Sequence, residues 1–205
     1  DCVLTDVGSA KGSVVADVKR IYGTVPPNFV PGHPIAGTEK SGVEASFATL
    51  FQRRRVILTP LPETAATAYR LIRQMWELTG AEVMNMGVRH HDAVLAATSH
   101  LPHVLAYTLV DTLARLDDRA EVFRYAASGF RDFTRIASSD PQMWHDICIA
   151  NREQLLEMIT LFSGDLAQLA EAIRSDDRAA ILATFQQAKH AHDNVVSRLN
   201  FRCDR

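Results

Sequence analysis

The sequence predicts an α/β unit followed by an all-α unit, and three observations carry that prediction. Before residue 88, short β-like runs alternate with helical patterns. After it, the apolar periodicity is helical only. The chain also opens directly on a strand-like run, Val3-Leu4-Thr5, and none of its ten glycines fall in a G-x-G-x-x-G pattern. The expected division is residues 1–88 and residues 89–205.

In the first unit, Val3-Leu4-Thr5 ends at Asp6-Val7-Gly8-Ser9. Val14, Val15, Val18, Ile21 and Tyr22 then form a helical stripe, with Gly23 where a helix commonly stops. Phe29-Val30 is a short strand bounded by prolines. Arg55 to Thr59 is another, closed by Pro60 and Pro62. Ala68, Leu71, Ile72, Met75 and Leu78 give a helical face that stops at Gly80, and Glu82 to Met86 is the last strand. Strands alternating with helices predict a mostly parallel sheet. A parallel sheet that starts at Val3 with no opening βαβ unit looks like the second half of a nucleotide-binding domain. About 90 preceding residues, the size of a mononucleotide-binding half, are therefore expected.

The second unit predicts a long apolar helix from His90 to Leu116 broken by Pro102, and a helix from Glu121 to Ser138. A third runs from Met143 to Ile173, with Gly164 as a candidate kink. Leu155, Ile159, Phe162, Leu166, Leu169 and Ile173 form a seam of the coiled-coil kind. Asp140 before Pro141 reads as an N-cap, and Asp176-Asp177 precedes a final helix through Leu199. The seam and the helix from Val94 to Val110 carry more apolar surface than a small helical layer hides, so a two-fold homodimer through the C-terminal helices is expected.

Composition narrows the function classes. With 22 Lys+Arg against 24 Asp+Glu the net charge is −2, which argues against nucleic acid and anionic membranes as partners. Apolar residues make up 47%, enough for a packed core. No run of about 18 apolar residues occurs, so no membrane-spanning helix is expected. The opening residues have no basic start and no long apolar region, so no signal peptide is expected. Cys2, Cys148 and Cys203 are distant and odd in number, which fits a reducing cytoplasm better than a disulfide framework or a zinc site.

Several segments can carry chemistry. Asp6-Val7-Gly8-Ser9-Ala10-Lys11-Gly12 follows a strand and opens a helix. Small residues there admit a ligand, and helix N-terminal amides favour anions, although an ordinary βα turn would read the same way. Gly32-His33-Pro34 follows a strand and reads as stiff, irregular backbone at the sheet's carboxyl edge, where ligands bind open α/β sheets. A neutral imidazole there can take a proton from a substrate hydroxyl, or simply bond to backbone. Ser99 and His103 lie on an apolar helix and suggest a polar pocket. His100 and His103 share a face, but no Cys or suitably spaced carboxylate accompanies them, so no metal is expected. Arg135 sits among apolar residues, where a guanidinium needs a carboxylate, either Asp132 or a ligand's. Arg53-Arg54-Arg55 and Lys189-His190-Ala191-His192 read as solvated surface.

Four of these segments, in order, resemble the prephenate dehydrogenases, including the cyclohexadienyl and arogenate dehydrogenases. They are Asp6-Val7-Gly8-Ser9-x-Lys11-Gly12, then Gly32 to Glu39 with Ser41-Gly42, then Ala97 to His103, then Gly129 to Ala137 with Met143-Trp144. The resemblance implies a Rossmann-type domain followed by a helical dimerisation domain. It implies NAD- or NADP-dependent oxidative decarboxylation of prephenate to 4-hydroxyphenylpyruvate, or of arogenate to tyrosine. By resemblance His33 is the catalytic base, and Ser9 bonds the substrate hydroxyl or that histidine. Arg135 grips substrate carboxylate, and Ser99, His103, Glu39, Asp132 and Trp144 line the pocket. Gly8, Ser9 and Pro34 approach the cofactor. The family's dinucleotide fingerprint is absent from these 205 residues. One competing expectation is a related hydroxy-acid dehydrogenase, which usually carries a catalytic lysine on its helical half. No lysine falls between Lys40 and Lys189. The other is a non-catalytic helical dimerisation module.

Overall fold

The computed structural model describes residues 2–37 and 42–196. The chain divides into two compact units, Asp1–Met158 and Ile159–Arg205.

In the first unit β1 (Leu4–Thr5) pairs in parallel with β2 (Phe29–Val30), and α1 (Gly12–Tyr22) connects them. Helix α1 buries Val15 against Val25 and Phe29 and ends at Gly23, whose φ of +77° suits a residue without Cβ. A second sheet has the order β3-β4-β5, from β3 (Gly32–Ile35), β4 (Arg55–Leu58) and β5 (Glu82–Asn85). β4 is its centre, with Val56, Ile57 and Leu58 all buried. α2 (Ala66–Leu78) links β4 to β5 and lays Ala68, Ile72 and Trp76, spaced four apart, onto Val30, Val56 and Leu58.

One segment departs from the expected irregular backbone. Gly32-His33-Pro34-Ile35 is strand β3, antiparallel to β4, with His33 opposite Ile57. Pro34 is tolerated because β3 lies at the end of its sheet, where a missing N–H leaves no ladder bond unmade. The other two pairings, β1 with β2 and β4 with β5, are parallel.

The helices follow. α3 (Val88–Leu95) runs through a π-helical turn (Ala96–His100) into α4 (Leu101–Ala114), and Pro102 stands in the first turn of α4. Val88–Ala114 is long and apolar enough to cross a membrane, with a mean hydropathy of 1.3, contrary to the expectation that no such helix exists. Its His91, Asp92 and His100 are buried and bonded within the first unit. The expected helix from Glu121 to Ser138 is three pieces: α5 (Arg119–Arg124), α6 (Ser128–Thr134) and a 3-10 turn (Arg135–Ser138). The expected helix from Met143 to Ile173 is two, α7 (Pro141–Ala150) and α8 (Arg152–Arg174), and Gly164 causes no break. Asp140 caps α7 by accepting from the Met143 amide at 2.8 Å. In the second unit, α9 (Arg178–Ala191) is capped by Asp177, which accepts from the Ala180 amide at 3.0 Å. Leu199 lies outside the described residues. Leu166 and Ile173 of the seam are more than half exposed, as is Phe185 on α9.

Ile72→Ala should lower the unfolding free energy by about 2–5 kcal/mol, because it opens a cavity against Val56 and Trp76. Leu78→Ala, on the open side of the same helix, should stay within about 0.5 kcal/mol. Chemical denaturation followed by circular dichroism checks both.

Candidate active site

The carboxyl ends of β1 and β2 release two segments side by side, Asp6 to Lys11 and Pro31 to His33. An ion pair between a fully buried lysine and a partly buried aspartate joins them. The Lys11 ammonium bonds to the Asp6 carboxylate and donates to the Gly32 carbonyl at 2.6 Å. Asp6 in turn accepts from the amides of Gly8 at 2.9 Å and Gly32 at 3.1 Å. Gly32 is thus held by both its N–H and its C=O, and His33 is the next residue. Ser9 sits half-buried inside the turn that Gly8 and Lys11 anchor.

A second set of bonds holds the His33 side chain. Its Nδ1 lies 2.9 Å from Nε2 of His91, and Nδ1 of His91 lies 2.8 Å from Oδ1 of Asp92. The same Asp92 carboxylate caps α1, accepting from the Lys11 amide at 2.8 Å and the Gly12 amide at 2.7 Å. A Cβ on Gly12 would come within 2.8 Å of Asp92 Oδ2, so the close approach requires glycine there. The free helix N-terminus expected to attract a ligand's anion already holds an internal one.

Burial, followed by His91, Lys11 and His100, pushes the His33 pKa down to about 3, against the pull of Asp92. Burial alone would raise Asp92, but bonds from His91, Lys11 and Gly12 outweigh it and hold the carboxyl below its usual range. Burial lowers His100 to about 4. Asn151, at the end of α7, donates to the Asp92 carbonyl at 2.8 Å and lies 3.1 Å from Nδ1 of His100.

Next along the helix, His103 donates from Nδ1 to the Ser99 carbonyl at 2.8 Å. Its ring stacks on Trp144, with centroids 3.5 Å apart. The Trp144 indole N–H is buried with no acceptor among the described residues. Helix α4 packs against α6 and the 3-10 turn that Arg135 opens, and the Tyr107 hydroxyl donates to the Ser139 carbonyl at 2.6 Å across that packing. Arg135 and Asp132 are both exposed, so the guanidinium is not enclosed as its apolar neighbours in sequence suggest.

The structure therefore brings the Gly8-Ser9 turn beside the Gly32-His33 backbone through Asp6 and Lys11, places Pro34 within β3, and gathers Ser99, His103 and Trp144 in one helical cluster. Glu39 lies outside the described residues. Among the described residues no group of three or more His, Cys, Asp and Glu side chains is placed to hold a metal. Sequence reasoning missed Lys11 as a buried cation, and it missed His91, Asp92 and Asn151 altogether. The one available signal was Asp92, a carboxylate in an otherwise apolar helical stretch next to two histidines.

Two family models match the chain. "Prephenate dehydrogenase, nucleotide-binding domain" covers residues 1–85, and "Prephenate dehydrogenase, dimerization domain" covers residues 88–187. A cyclohexadienyl dehydrogenase of Zymomonas mobilis is 42% identical over 93% of this chain and 65% of its own length. A prephenate dehydrogenase of Bacillus subtilis is 34% identical over 97% of this chain and 53% of its own. The chain thus spans between half and two thirds of these relatives. Among solved structures, a prephenate dehydrogenase from A. aeolicus in complex with hydroxyphenyl propionate and NAD+ superposes with a TM-score of 0.85 at 41% identity. That match covers 94% of this chain and 66% of the other.

The depressed histidine pKa values set a stability profile. In the unfolded chain His33 and His100 titrate near 6.5, whereas in the fold they stay neutral down to about 3 and 4. Their contribution is complete above pH 6.5 and declines as pH falls, because only the unfolded chain takes up the protons. Between pH 6.5 and 5 the loss is up to about 2 kcal/mol per histidine. Thermal melts should show a Tm at pH 5 several degrees below that at pH 7.5, and His100→Phe should flatten the slope.

Proposed function

Since the chain belongs to the prephenate dehydrogenase family, we propose that it carries the catalytic and substrate-binding parts of a cytoplasmic, homodimeric enzyme of tyrosine biosynthesis. The reaction is the NAD- or NADP-dependent oxidative decarboxylation of prephenate or arogenate. The observation that carries this reading is His33, buried and neutral at the carboxyl edge of β1 and β2, with Nδ1 engaged by His91 and Nε2 without a partner among the described residues.

In this reading His33 accepts the proton of the ring hydroxyl as hydride leaves the carbon that bears it. The C–C bond to the ring carboxylate then breaks, its electron pair completes the aromatic ring while the ring oxygen takes back the proton held by His33, and carbon dioxide departs. Aromatisation supplies the driving force, so these residues mainly orient the ring and hold one proton. Ser9 bonds the same hydroxyl from the adjoining turn. Arg135 receives a substrate carboxylate, for which an exposed guanidinium on a packed turn suits a ligand that arrives from solvent. Ser99, His103, Asp132 and the unpaired indole N–H of Trp144 complete the pocket, together with Glu39.

NAD(P)+ supplies the two-electron acceptor when bound. Gly8 and Ser9 fit its reactive end by position, at the carboxyl edge of a parallel strand pair, which is where open α/β sheets take such ligands, and Pro34 approaches it from β3 in this proposal. The amides of Lys11 and Gly12 do not fit its phosphates, because Asp92 already occupies both. In the proposed division, residues 1–88 carry the nucleotide-binding part, and residues 89–205 the substrate-binding and dimerisation part. The two family models, meeting between residues 85 and 88, support that boundary. The exposed Leu166, Ile173 and Phe185 support a dimer through the C-terminal helices.

In the full-length enzyme His33→Asn should lower kcat by about 10²–10⁴-fold with little change in KM. Arg135→Ala should instead raise KM, and Arg135→Lys should recover only part of the loss, since an ammonium lacks the bidentate fork. Steady-state kinetics with prephenate and with arogenate, on variants whose fold is verified by circular dichroism, check these and separate the substrates. Light scattering at micromolar concentration should give a dimer, and a monodisperse monomer would remove that part of the proposal.

A further inference from the structure

We infer that His91 and Asp92 are positioning residues that fix the protonation pattern of His33, so that its Nε2 is the unprotonated, basic nitrogen. The inference rests on the reading of His33 as the base and names what makes it one.

Two of the groups facing Asp92 are backbone amides, Lys11 and Gly12, which only donate. Both carboxylate oxygens are therefore acceptors, and with its pKa held low Asp92 is ionised. Nδ1 of His91 lies 2.8 Å from Oδ1 of this anion, so it carries a proton and donates. A neutral imidazole protonated at Nδ1 has its lone pair at Nε2. That lone pair faces Nδ1 of His33 at 2.9 Å, so His33 donates from Nδ1. The remaining nitrogen, Nε2, then bears the lone pair that a hydroxyl proton needs. That His91 carries one proton, at Nδ1, is part of the inference; from it the later steps follow, and the series begins at backbone amides that only donate.

The neighbours keep the arrangement in place. His91 is fully buried and Asp92 nearly so, which leaves little water to offer alternative partners. Asn151 holds the Asp92 carbonyl from α7. Lys11 and Asp6 hold the backbone beside His33. The carboxylate that orients the base also caps the helix following Ser9, so one side chain sets both halves of the hydroxyl-binding edge.

Substitution at Asp92 reverses the series. In Asp92→Asn a carboxamide N–H replaces one acceptor and can donate to His91 Nδ1. His91 would then carry its proton on Nε2 and donate to His33 Nδ1, leaving Nε2 of His33 protonated and unable to accept. A wrong tautomer of a catalytic histidine costs on the order of 10⁴-fold in rate where the geometry is otherwise kept.

The test uses the full-length enzyme with ¹⁵N-labelled histidine rings. In the wild type at pH 7.5, ring ¹⁵N shifts should show His33 protonated at Nδ1 and bare at Nε2. Asp92→Asn should move the proton to Nε2 and lower kcat by about 10²–10⁴-fold, with KM within about three-fold. Because Asp92→Asn also weakens the cap of α1, a second pair of variants keeps the test independent of folding. His91→Gln can place a carbonyl oxygen where Nε2 stood and should keep both the tautomer and kcat within about ten-fold. His91→Leu leaves the His33 N–H without an acceptor and should lose about 10²-fold or more in kcat. A wild-type His33 protonated at Nε2 would overturn the inference. So would a folded His91→Leu enzyme with unchanged kcat and pH profile. Failure of the wild-type enzyme to oxidise prephenate or arogenate would sink the functional reading instead, and the ¹⁵N spectra would still report the tautomer.

Discussion

A single carboxylate, that of Asp92, organises the molecule. It receives two amides from the start of α1 and one ring N–H from His91, and its backbone carbonyl receives Asn151. These partners come from three separate stretches of chain, so the turn after β1, the start of the helical half and the end of α7 meet at one residue. Burying an anion is costly unless its hydrogen bonds are complete, and here they are. The arrangement therefore tolerates little displacement, because any partner that moves away leaves a charge buried and incompletely bonded.

The neighbouring Lys11–Asp6 pair follows the same logic. A buried ion pair contributes little net stability compared with apolar residues of the same size, but breaking one half is strongly destabilising. Its value here is positional. It fixes the backbone at Gly32 from both sides and so places His33, while the small apolar cluster of Val15, Val25 and Phe29 would leave that edge loosely defined. The polar contacts determine where the reactive groups stand, and the sheet of β3, β4 and β5 with α2 supplies most of the apolar packing in this region.

Local signals in the sequence were enough for much of this fold. β1, β2, β4 and β5, the stop at Gly23 and the cap at Asp140 all follow from residues within a few positions of one another, whereas the break expected at Pro102 is instead a π-helical turn within a continuous helix. What escaped depends on distant partners. Gly32-His33-Pro34 has the composition of a loop and becomes a strand only because β4 lies alongside it. The break between α7 and α8 carries no proline or glycine. It falls at Asn151, whose side chain is bonded to Asp92 and His100. Of the candidate site, His33, Ser9, Ser99 and His103 were legible as chemistry-bearing residues in suggestive surroundings, and Trp144 only through the family resemblance. Their support was not, since Asp92 and His91 find their partners 80 and 58 residues away.

The π-helical turn at Ala96–His100 sets the angle between two parts of the site. Such a turn takes up one residue more than an α-helix needs, and each helical residue contributes about 100° of rotation. His91 and Asp92 precede the surplus residue and His103 follows it. A helix without it would carry the His103 face about a quarter-turn round the axis from its present bearing, while His91 and Asp92 kept theirs. The relative aim of the two histidine-bearing faces is thus quantised by residue number. Side-chain substitution can adjust it by only a few degrees, whereas one insertion or deletion re-aims it at a stroke.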